Sequence, residues 1–165
     1  MAKLAETFLI EYLNRQGFAV AQSVKYANRE WDILAISGAT GTIRARHYEA
    51  QVSFDPVSYI SAGNATKRNK ETFESDMEDW YQKKFEHPEI QKIRSHFYNG
   101  DWEKWFVHGV IKEQRELDWL QNRGVHLLTF REVLTSLCAS HPRELPYTAE
   151  GKDIVEVVRN MLQAE

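Results

Sequence analysis

The sequence has few of the features that hold together small secreted proteins or anchor membrane proteins. Its 165 residues contain one cysteine, Cys138, so an internal disulfide framework is excluded, which is typical of proteins in a reducing cytosol. The longest apolar run is far too short to cross a bilayer, and no basic and then apolar leader stands at the N-terminus. We therefore expect a cytoplasmic protein that has no membrane partner.

Several signatures of cofactor chemistry are also missing. The chain has no glycine-rich phosphate loop, no zinc-type spacing of cysteine and histidine, and no supported Cys-His or Ser-His constellation. The pattern therefore indicates no organic cofactor and no nucleophilic triad.

The net charge is −3, so the basic excess that is common in nucleic-acid-binding domains is absent as well. Basic residues do cluster locally, in the run Lys67-Arg68-Asn69-Lys70 and in the pair Lys83-Lys84. We consider such clusters, and Lys67, Arg68 and Lys70 in particular, candidates for contact with nucleic-acid phosphates. The alternative is that they form a solvated helix face.

What is present fits one globular domain over residues 1–165. Hydrophobic residues make up 42% and charged residues 27%, which allows a sizeable core and argues against disorder. Apolar spacing predicts a first helix at residues 4–16, which Gly17 is placed to end. Strands are predicted at residues 18–24, 30–36 and 42–54, and residues 55–66 are predicted to be a loop of the kind that closes over a site.

Helices and strands alternate in the second half. The pattern predicts helices at residues 67–86, from Pro88, at 116–123, at 131–139 and around 154–162, and strands at 105–111 and 125–130. Because a helix separates the last two strands, we expect them to be parallel neighbours with a crossover connection. The predicted fold class is α/β, with one mixed sheet covered by helices.

Two acids stand in predicted strands among apolar residues. Alternation along the third strand puts Glu49 on one face with His47 and Gln51. Asp32 shares its face with Leu34 in the second strand. An unpaired buried charge is costly, and a divalent cation held by oxygen ligands is a common partner for two such acids.

Four fragments follow one another along the chain: Glu6, Leu13 and Gly17, then Asp32-Ile33-Leu34, then Glu49-Ala50-Gln51, and finally the run from Gly124 to Phe130 before a helix. Taken in this order, they resemble the PD-(D/E)XK, or restriction endonuclease-like, nuclease superfamily, in the style of its Holliday-junction-resolvase-like and Mrr-like branches. The core of that superfamily is a helix, an antiparallel three-strand meander, a crossover helix and a parallel strand.

The resemblance implies a divalent-metal-dependent endonuclease that hydrolyses phosphodiester bonds in duplex or branched DNA. It implies that Asp32 and Glu49 hold Mg²⁺ or Mn²⁺ and that the carbonyl of Ala50 is a further ligand. Glu6 is expected to reach the same site from the first helix, either directly or through a water. Since one site cuts one strand, cleavage of both strands favours a homodimer.

Gln51 departs from the family pattern, in which a lysine occupies this position. An amide offers only neutral hydrogen bonds, whereas lysine brings a positive charge. Three explanations remain open: Gln51 orients the water while the metal activates it, a lysine such as Lys67, Lys70 or Lys112 supplies the charge, or the domain is inactive. An inactive member would serve as a nucleic-acid-binding or protein-interaction subunit.

Other residues have plain structural interpretations beside the functional ones. Asp32 can be a strand-edge acid paired with Arg29 or Lys25, and Glu6 can be a first-turn acid favoured by the helix dipole. His47 and Ser53 are candidate phosphate contacts, although a surface position is the ordinary expectation for them. We expect His108 to be a satisfied core histidine. The tryptophans are expected to pack in the core, and Trp102 is the one whose exposure is least certain.

Overall fold

A five-stranded mixed sheet with helices on both faces forms the frame of the protein in its computed structural model, which describes residues 2–26, 29–38, 41–52, 60 and 72–139. The elements in chain order are α1 (Ala2–Arg15), β1 (Ala19–Tyr26), β2 (Arg29–Ser37), β3 (Arg44–Gln51), α2 (Phe73–Tyr81), α3 (Pro88–Phe97), β4 (Trp102–His108), α4 (Gln114–Asn122), β5 (Val125–Thr129) and α5 (Phe130–Ala139).

Some predictions fall on residues outside these ranges. They concern Ser53, nearly all of the loop at 55–66, the terminal helix around 154–162, and the candidate DNA contacts Lys67, Arg68 and Lys70.

The strands lie in the sheet in the same order as in the chain. β1, β2 and β3 form an antiparallel meander, whereas β3 with β4 and β4 with β5 are parallel pairs. The predicted fold class is therefore confirmed, as is the crossover between two parallel neighbours, which contains α4. None of the helices in the described part of the chain is long and apolar enough to span a membrane.

The predicted strand boundaries differ from those observed by up to three residues, and the largest differences are in β3 and β4. β4 was expected at residues 105–111, but it begins at Trp102 and ends at His108. Gly109, the residue after β4, donates its N–H to the carbonyl of Gln51, the final residue of β3, at 3.3 Å. β3 ends at Gln51, short of the predicted residue 54.

Apolar side chains fill both faces of the sheet. Phe106 and Val107, which are neighbours in β4, are both buried and belong to different clusters, as expected for an inner strand covered on both faces. The cluster with α1 and α5 contains Phe8, Leu9, Leu13, Phe18, Ile33, Ala35, Tyr48, Val107, Leu128, Val133 and Leu137. The cluster with α2 and α4 contains Ile60, Phe73, Met77, Tyr81, Phe85, Phe106, Leu117, Trp119, Leu120 and Val125.

A π-helical turn, Gln82–Glu86, continues α2 and leads to Pro88, the first residue of α3. π-helical turns are uncommon and are frequently found at functional sites. Phe85 in this turn is fully buried against the sheet, whereas the side chain of the preceding Lys84 is 28% exposed. The turn thus brings one lysine to the edge of the buried layer.

Candidate functional site

The site forms where the ladder between β2 and β3 ends. The last pair in the register is Ile33 with Tyr48, and the next residues along the two strands are Asp32 and Glu49. At this point Ala50 N donates a hydrogen bond of 2.8 Å to Asp32 Oδ2. A side-chain carboxylate has therefore replaced a main-chain acceptor, and it ties the two strands together.

β1 is irregular at the same level of the sheet. Its ladder with β2 pairs Gln22 with Ile33 and Val24 with Trp31, and it omits the intervening Ser23. Ser23 has a φ of 48°, in the left-handed region that non-glycine residues rarely adopt. Asp32 consequently lies between two interruptions of regular pairing, and such irregular backbone is concentrated at functional sites in proteins.

Glu49 is buried, with 1% of its surface exposed, and both of its carboxylate oxygens accept hydrogen bonds. Oε1 lies 3.2 Å from His47 Nε2, and Oε2 lies 2.5 Å from Lys84 Nζ. Register with β4 places Glu49 opposite Phe106, so the carboxylate borders the apolar cluster beneath α2. Such a charge requires partners, and Lys84 is the cationic one.

The two strand acids have unusual proton affinities. Burial, and then the charge of Glu49, raises the pKa of Asp32 from 3.8 to about 7. Burial also raises the pKa of Glu49 from 4.5 to about 7, although the Lys84 ammonium opposes this shift. These carboxyl groups are therefore difficult to ionise together without additional positive charge.

Lys84 is the residue of the candidate site that the sequence interpretation did not place there, since it noted Lys84 only as part of the basic pair Lys83-Lys84. Burial acts to lower its pKa, but the charges of Glu49 and Asp32 outweigh burial, so the pKa of Lys84 lies above its ordinary value of 10.5. Its side chain is therefore an ammonium ion at neutral pH. The sequence did contain a sign that Lys84 faces the protein interior. Its helical spacing puts it on the same side of the helix as the apolar residues Phe73, Met77, Trp80 and Tyr81.

Gln51 and Ala50 continue β3 beyond Glu49. Alternation places Gln51 on the face of Glu49 and His47, with His108 of β4 beside it in the register. The amide of Gln51 is half-buried. Ala50, the next residue after Glu49, donates its N–H to Asp32 Oδ2, so its backbone contacts one of the two acids and adjoins the other.

Glu6 is buried in α1, and its Oε2 accepts a hydrogen bond of 2.9 Å from Gln22 Nε2. Its charge contributes the weakest of the effects that shift the pKa of Asp32. Within the described residues, no group of three His, Cys, Asp or Glu side chains lies close enough to hold a metal ion. Glu6 thus does not complete a three-carboxylate cluster with Asp32 and Glu49.

His47 does not occupy the surface position that strand alternation led us to expect. It is fully buried, and Arg94 of α3 donates from its guanidinium to His47 Nδ1 at 2.8 Å. Burial, and then the charge of Arg94, holds the pKa of His47 well below 6.5. A neutral imidazole inside the protein contacts Glu49 but is closed to a phosphate.

Lys25, one of the two alternative partners of Asp32, pairs instead with Glu30 at 3.2 Å, and the side chain of Arg29, the other one, lies outside the described residues. The first turn of α1 contains no acid, so the alternative interpretation of Glu6 as a first-turn acid is wrong.

His108 is buried, and its Nδ1 lies 2.8 Å from the Gly109 carbonyl, as expected of a satisfied core histidine. Trp102 is half-buried and donates its indole N–H to the Tyr98 carbonyl at 3.0 Å.

Comparison with known proteins finds similarity in structure only. No protein-family model matches the chain, and no curated protein sequence matches it. A crystal structure described as the protein of unknown function AF1548 is similar with a TM-score of 0.51 and 10% identity, covering 98% of this chain and 100% of that one. The MspJI restriction endonuclease in complex with a 27-mer oligonucleotide gives a TM-score of 0.41 and 12% identity, covering 98% of this chain and 31% of that one.

Proposed function

We propose that this protein is a divalent-metal-dependent endonuclease that hydrolyses phosphodiester bonds in DNA. In this proposal Asp32, Glu49 and the carbonyl of Ala50 hold Mg²⁺ or Mn²⁺. The contact between Lys84 Nζ and Glu49 Oε2 carries the proposal, because it brings to the site the positive charge that Gln51 does not supply. In this proposal Lys84 takes the role that one of the three open explanations gave to Lys67, Lys70 or Lys112.

The chemistry of the donor set supports a hard divalent cation. Mg²⁺ is commonly bound by one or two protein carboxylates, while waters and substrate phosphates complete its octahedron. Two carboxylates and one carbonyl meet that requirement without a third acid, so Glu6 is assigned to a water-bridged position. The raised pKa values of Asp32 and Glu49 are a second reason to propose a cation here, since a bound cation stabilises both ionised carboxylates.

When bound, the metal would neutralise charge on the scissile phosphate and lower the pKa of the attacking water. The protein groups beside it have separate tasks. Lys84 stays protonated, so it acts as a donor and a positive charge toward the transition state and not as a base. The amide of Gln51 donates and accepts neutral hydrogen bonds, which suits the orientation of a water molecule.

The same contact favours a second candidate function. An ammonium that neutralises Glu49 provides the positive charge on which a buried carboxylate depends, without any metal. A domain of this kind would have lost catalysis and would serve as a nucleic-acid-binding or protein-interaction subunit.

Cleavage assays separate the two candidates. Supercoiled plasmid and four-way-junction DNA are incubated with the protein in Mg²⁺, in Mn²⁺ and in EDTA. The variants are Asp32→Asn and Glu49→Gln, with Asp101→Asn at an exposed site as the matched control. Metal-dependent cutting by the wild type and the control alone supports the nuclease. Cutting that survives both site substitutions rejects the site, and DNA binding without cutting favours the second candidate.

Contact of Lys67, Arg68 and Lys70 with DNA, and a homodimer, belong to the same proposal. Alanine at all three positions is expected to weaken DNA binding and to reduce its salt dependence, because fewer counterions are released. Sedimentation of the protein with and without duplex DNA tests the dimer. If the DNA affinity and its salt dependence are unchanged, these three residues do not contact DNA.

A further inference from the structure

A chain of buried polar contacts reaches the carboxylate oxygen of Glu49 that does not contact Lys84. Arg94 in α3 donates to His47 Nδ1 at 2.8 Å, and His47 Nε2 lies 3.2 Å from Glu49 Oε1. Arg94 is 7% exposed and His47 is 0% exposed, so water does not compete for these hydrogen bonds. Neither residue belongs to the metal and lysine site described above.

The chemistry of arginine fixes the direction of these bonds. A guanidinium group has only donors, so His47 Nδ1 must be the acceptor and carries no proton. In a neutral imidazole the proton is then on Nε2, and Nε2–H donates to Glu49 Oε1. Arg94 therefore selects one tautomer of His47, and that tautomer is the one that can bind a carboxylate.

We propose that Arg94 and His47 are positioning residues that orient the Glu49 carboxylate for metal binding. The inference rests on the proposed function, because it assigns a task to the residues behind its metal ligand. With Oε1 held by His47, the carboxylate cannot rotate about its last bond, and Oε2 stays on the side of Lys84. Hydrogen bonds of this kind orient metal-ligating side chains and raise metal affinity.

Arg94 also links the two elements that form the site. Its guanidinium donates to the carbonyl of Phe85, the residue that follows Lys84 in the π-helical turn. The ring of Phe85 meets the imidazole of His47 edge to face, with 5.0 Å between ring centroids. One side chain therefore fixes both the turn that carries Lys84 and the histidine that holds Glu49.

Two amide substitutions at His47 form a matched pair for the test. The amide of His47→Gln reaches about as far as Nε2, so it retains a donor for Glu49. The amide of His47→Asn ends near the position of Nδ1, so it retains an acceptor for Arg94 but leaves Glu49 Oε1 without its donor. Both changes are polar and reduce volume, which makes their effects on folding comparable.

The experiment measures Mn²⁺ affinity by calorimetry and the His47 tautomer by ¹⁵N NMR of the histidine rings at neutral pH. We expect His47→Asn to weaken Mn²⁺ binding by about 10- to 100-fold, as outer-sphere changes commonly do, and His47→Gln to remain much closer to the wild type. The wild-type spectrum is expected to show the proton of His47 on Nε2, and Arg94→Met is expected to release that preference.

Three results would overturn the positioning role of His47 and Arg94, and they differ in what they imply for the proposed function. Equal Mn²⁺ affinity in folded wild type, His47→Asn and His47→Gln rejects the positioning role and leaves the proposed function intact. A proton on Nδ1 of His47 in the wild type also rejects it, and this measurement needs no variant that must fold. A wild-type protein that binds no Mn²⁺ rejects the proposed metal-dependent function together with this inference.

Discussion

Lys84 Nζ lies 2.5 Å from Glu49 Oε2, although 35 residues separate the two in the chain. The lysine comes from the π-helical turn after α2, and the glutamate comes from β3. Charge-assisted hydrogen bonds between an ammonium and a carboxylate are short and strong, and the burial of Glu49 reduces their screening by solvent. The positive charge at the site therefore arrives from a helix and not from the strand that carries Gln51.

Replacement of Lys84 by methionine is expected to slow DNA cleavage by about 100- to 1000-fold, the loss typical when one preorganised donor to the transition state is removed. Lys83→Met is the matched control, because Lys83 is the preceding residue and is exposed. The measurement is the single-turnover rate of plasmid nicking at saturating metal. Equal rates for the two variants would show that Lys84 is a structural partner of Glu49.

Lysine at position 51 is expected to restore much of the activity that Lys84→Met loses. Gln51 lies on the same face of β3 as Glu49, so an ammonium there enters the site from the strand, as the resemblance implies. The comparison is between Lys84→Met and the double variant Lys84→Met, Gln51→Lys, both assayed for nicking. A double variant no faster than Lys84→Met would contradict a transferable role for the charge.

Divalent metal is expected to stabilise the wild type but not Asp32→Asn. Asparagine still offers an oxygen to Ala50 N, so the strand contact persists while one anionic ligand is lost. A ligand at 100 times its Kd adds about 2.7 kcal/mol to the free energy of unfolding, which is a rise in Tm of roughly 5 to 10 °C for a chain of this size. The check is thermal unfolding with EDTA and with Mn²⁺, and Asp101→Asn should respond as the wild type does.

Part of the free energy of unfolding is expected to depend on the ionised carboxylate of Glu86 and to be lost at acid pH. Burial acts to raise its pKa, but hydrogen bonds from Lys104 and Tyr81 outweigh burial and hold the pKa below 4.5. A depressed acid pKa contributes stability that is present above pH 4.5 and is lost as the pH falls through the folded-state pKa. The side chains of Glu86 and Lys104 are 24% and 22% exposed, so solvent still screens the pair and the contribution is a fraction of about 1 kcal/mol.

Urea unfolding of the wild type and Glu86→Gln at pH 7 and pH 3 measures that contribution. The difference in the free energy of unfolding between the two proteins should shrink at the lower pH. A difference that is constant with pH would mean that the charge of Glu86 contributes nothing to the free energy of unfolding.

Much of the fold could be predicted because its signals are local. The apolar stripe of α1 ends at Gly17, whose φ of 78° is one that glycine adopts without strain. Strand alternation correctly placed Glu49 and Gln51 on one face, and the separation of β4 and β5 by a helix indicated their parallel pairing. Boundaries were less accurate, since the end of β4 depends on where its neighbour β3 ends.

The candidate site was only partly predictable. Asp32 and Glu49 stood out because ionisable groups among aliphatic residues need partners, and the sequence displays that conflict directly. The identity of the partners was hidden. Lys84 fitted the apolar spacing of its helix, but no local pattern told which strand that side of the helix would cover.

The burial of His47 could not be predicted either. Alternation gives the face of the strand on which a residue lies, but it does not tell which element covers that face. α3 and the π-helical turn cover it, and they supply Arg94 and Phe85 as its neighbours.

The chain alone predicts the order of the elements and contains two acids that need a partner. Which cation is nearest and how the acids are held follow only from the folded structure, because Lys84 and Arg94 reach Glu49 and His47 across separations of 35 and 47 residues. Hydrogen bonding depends on distance in space, and a periodic pattern in a chain contains no information about which distant segment will pack against it.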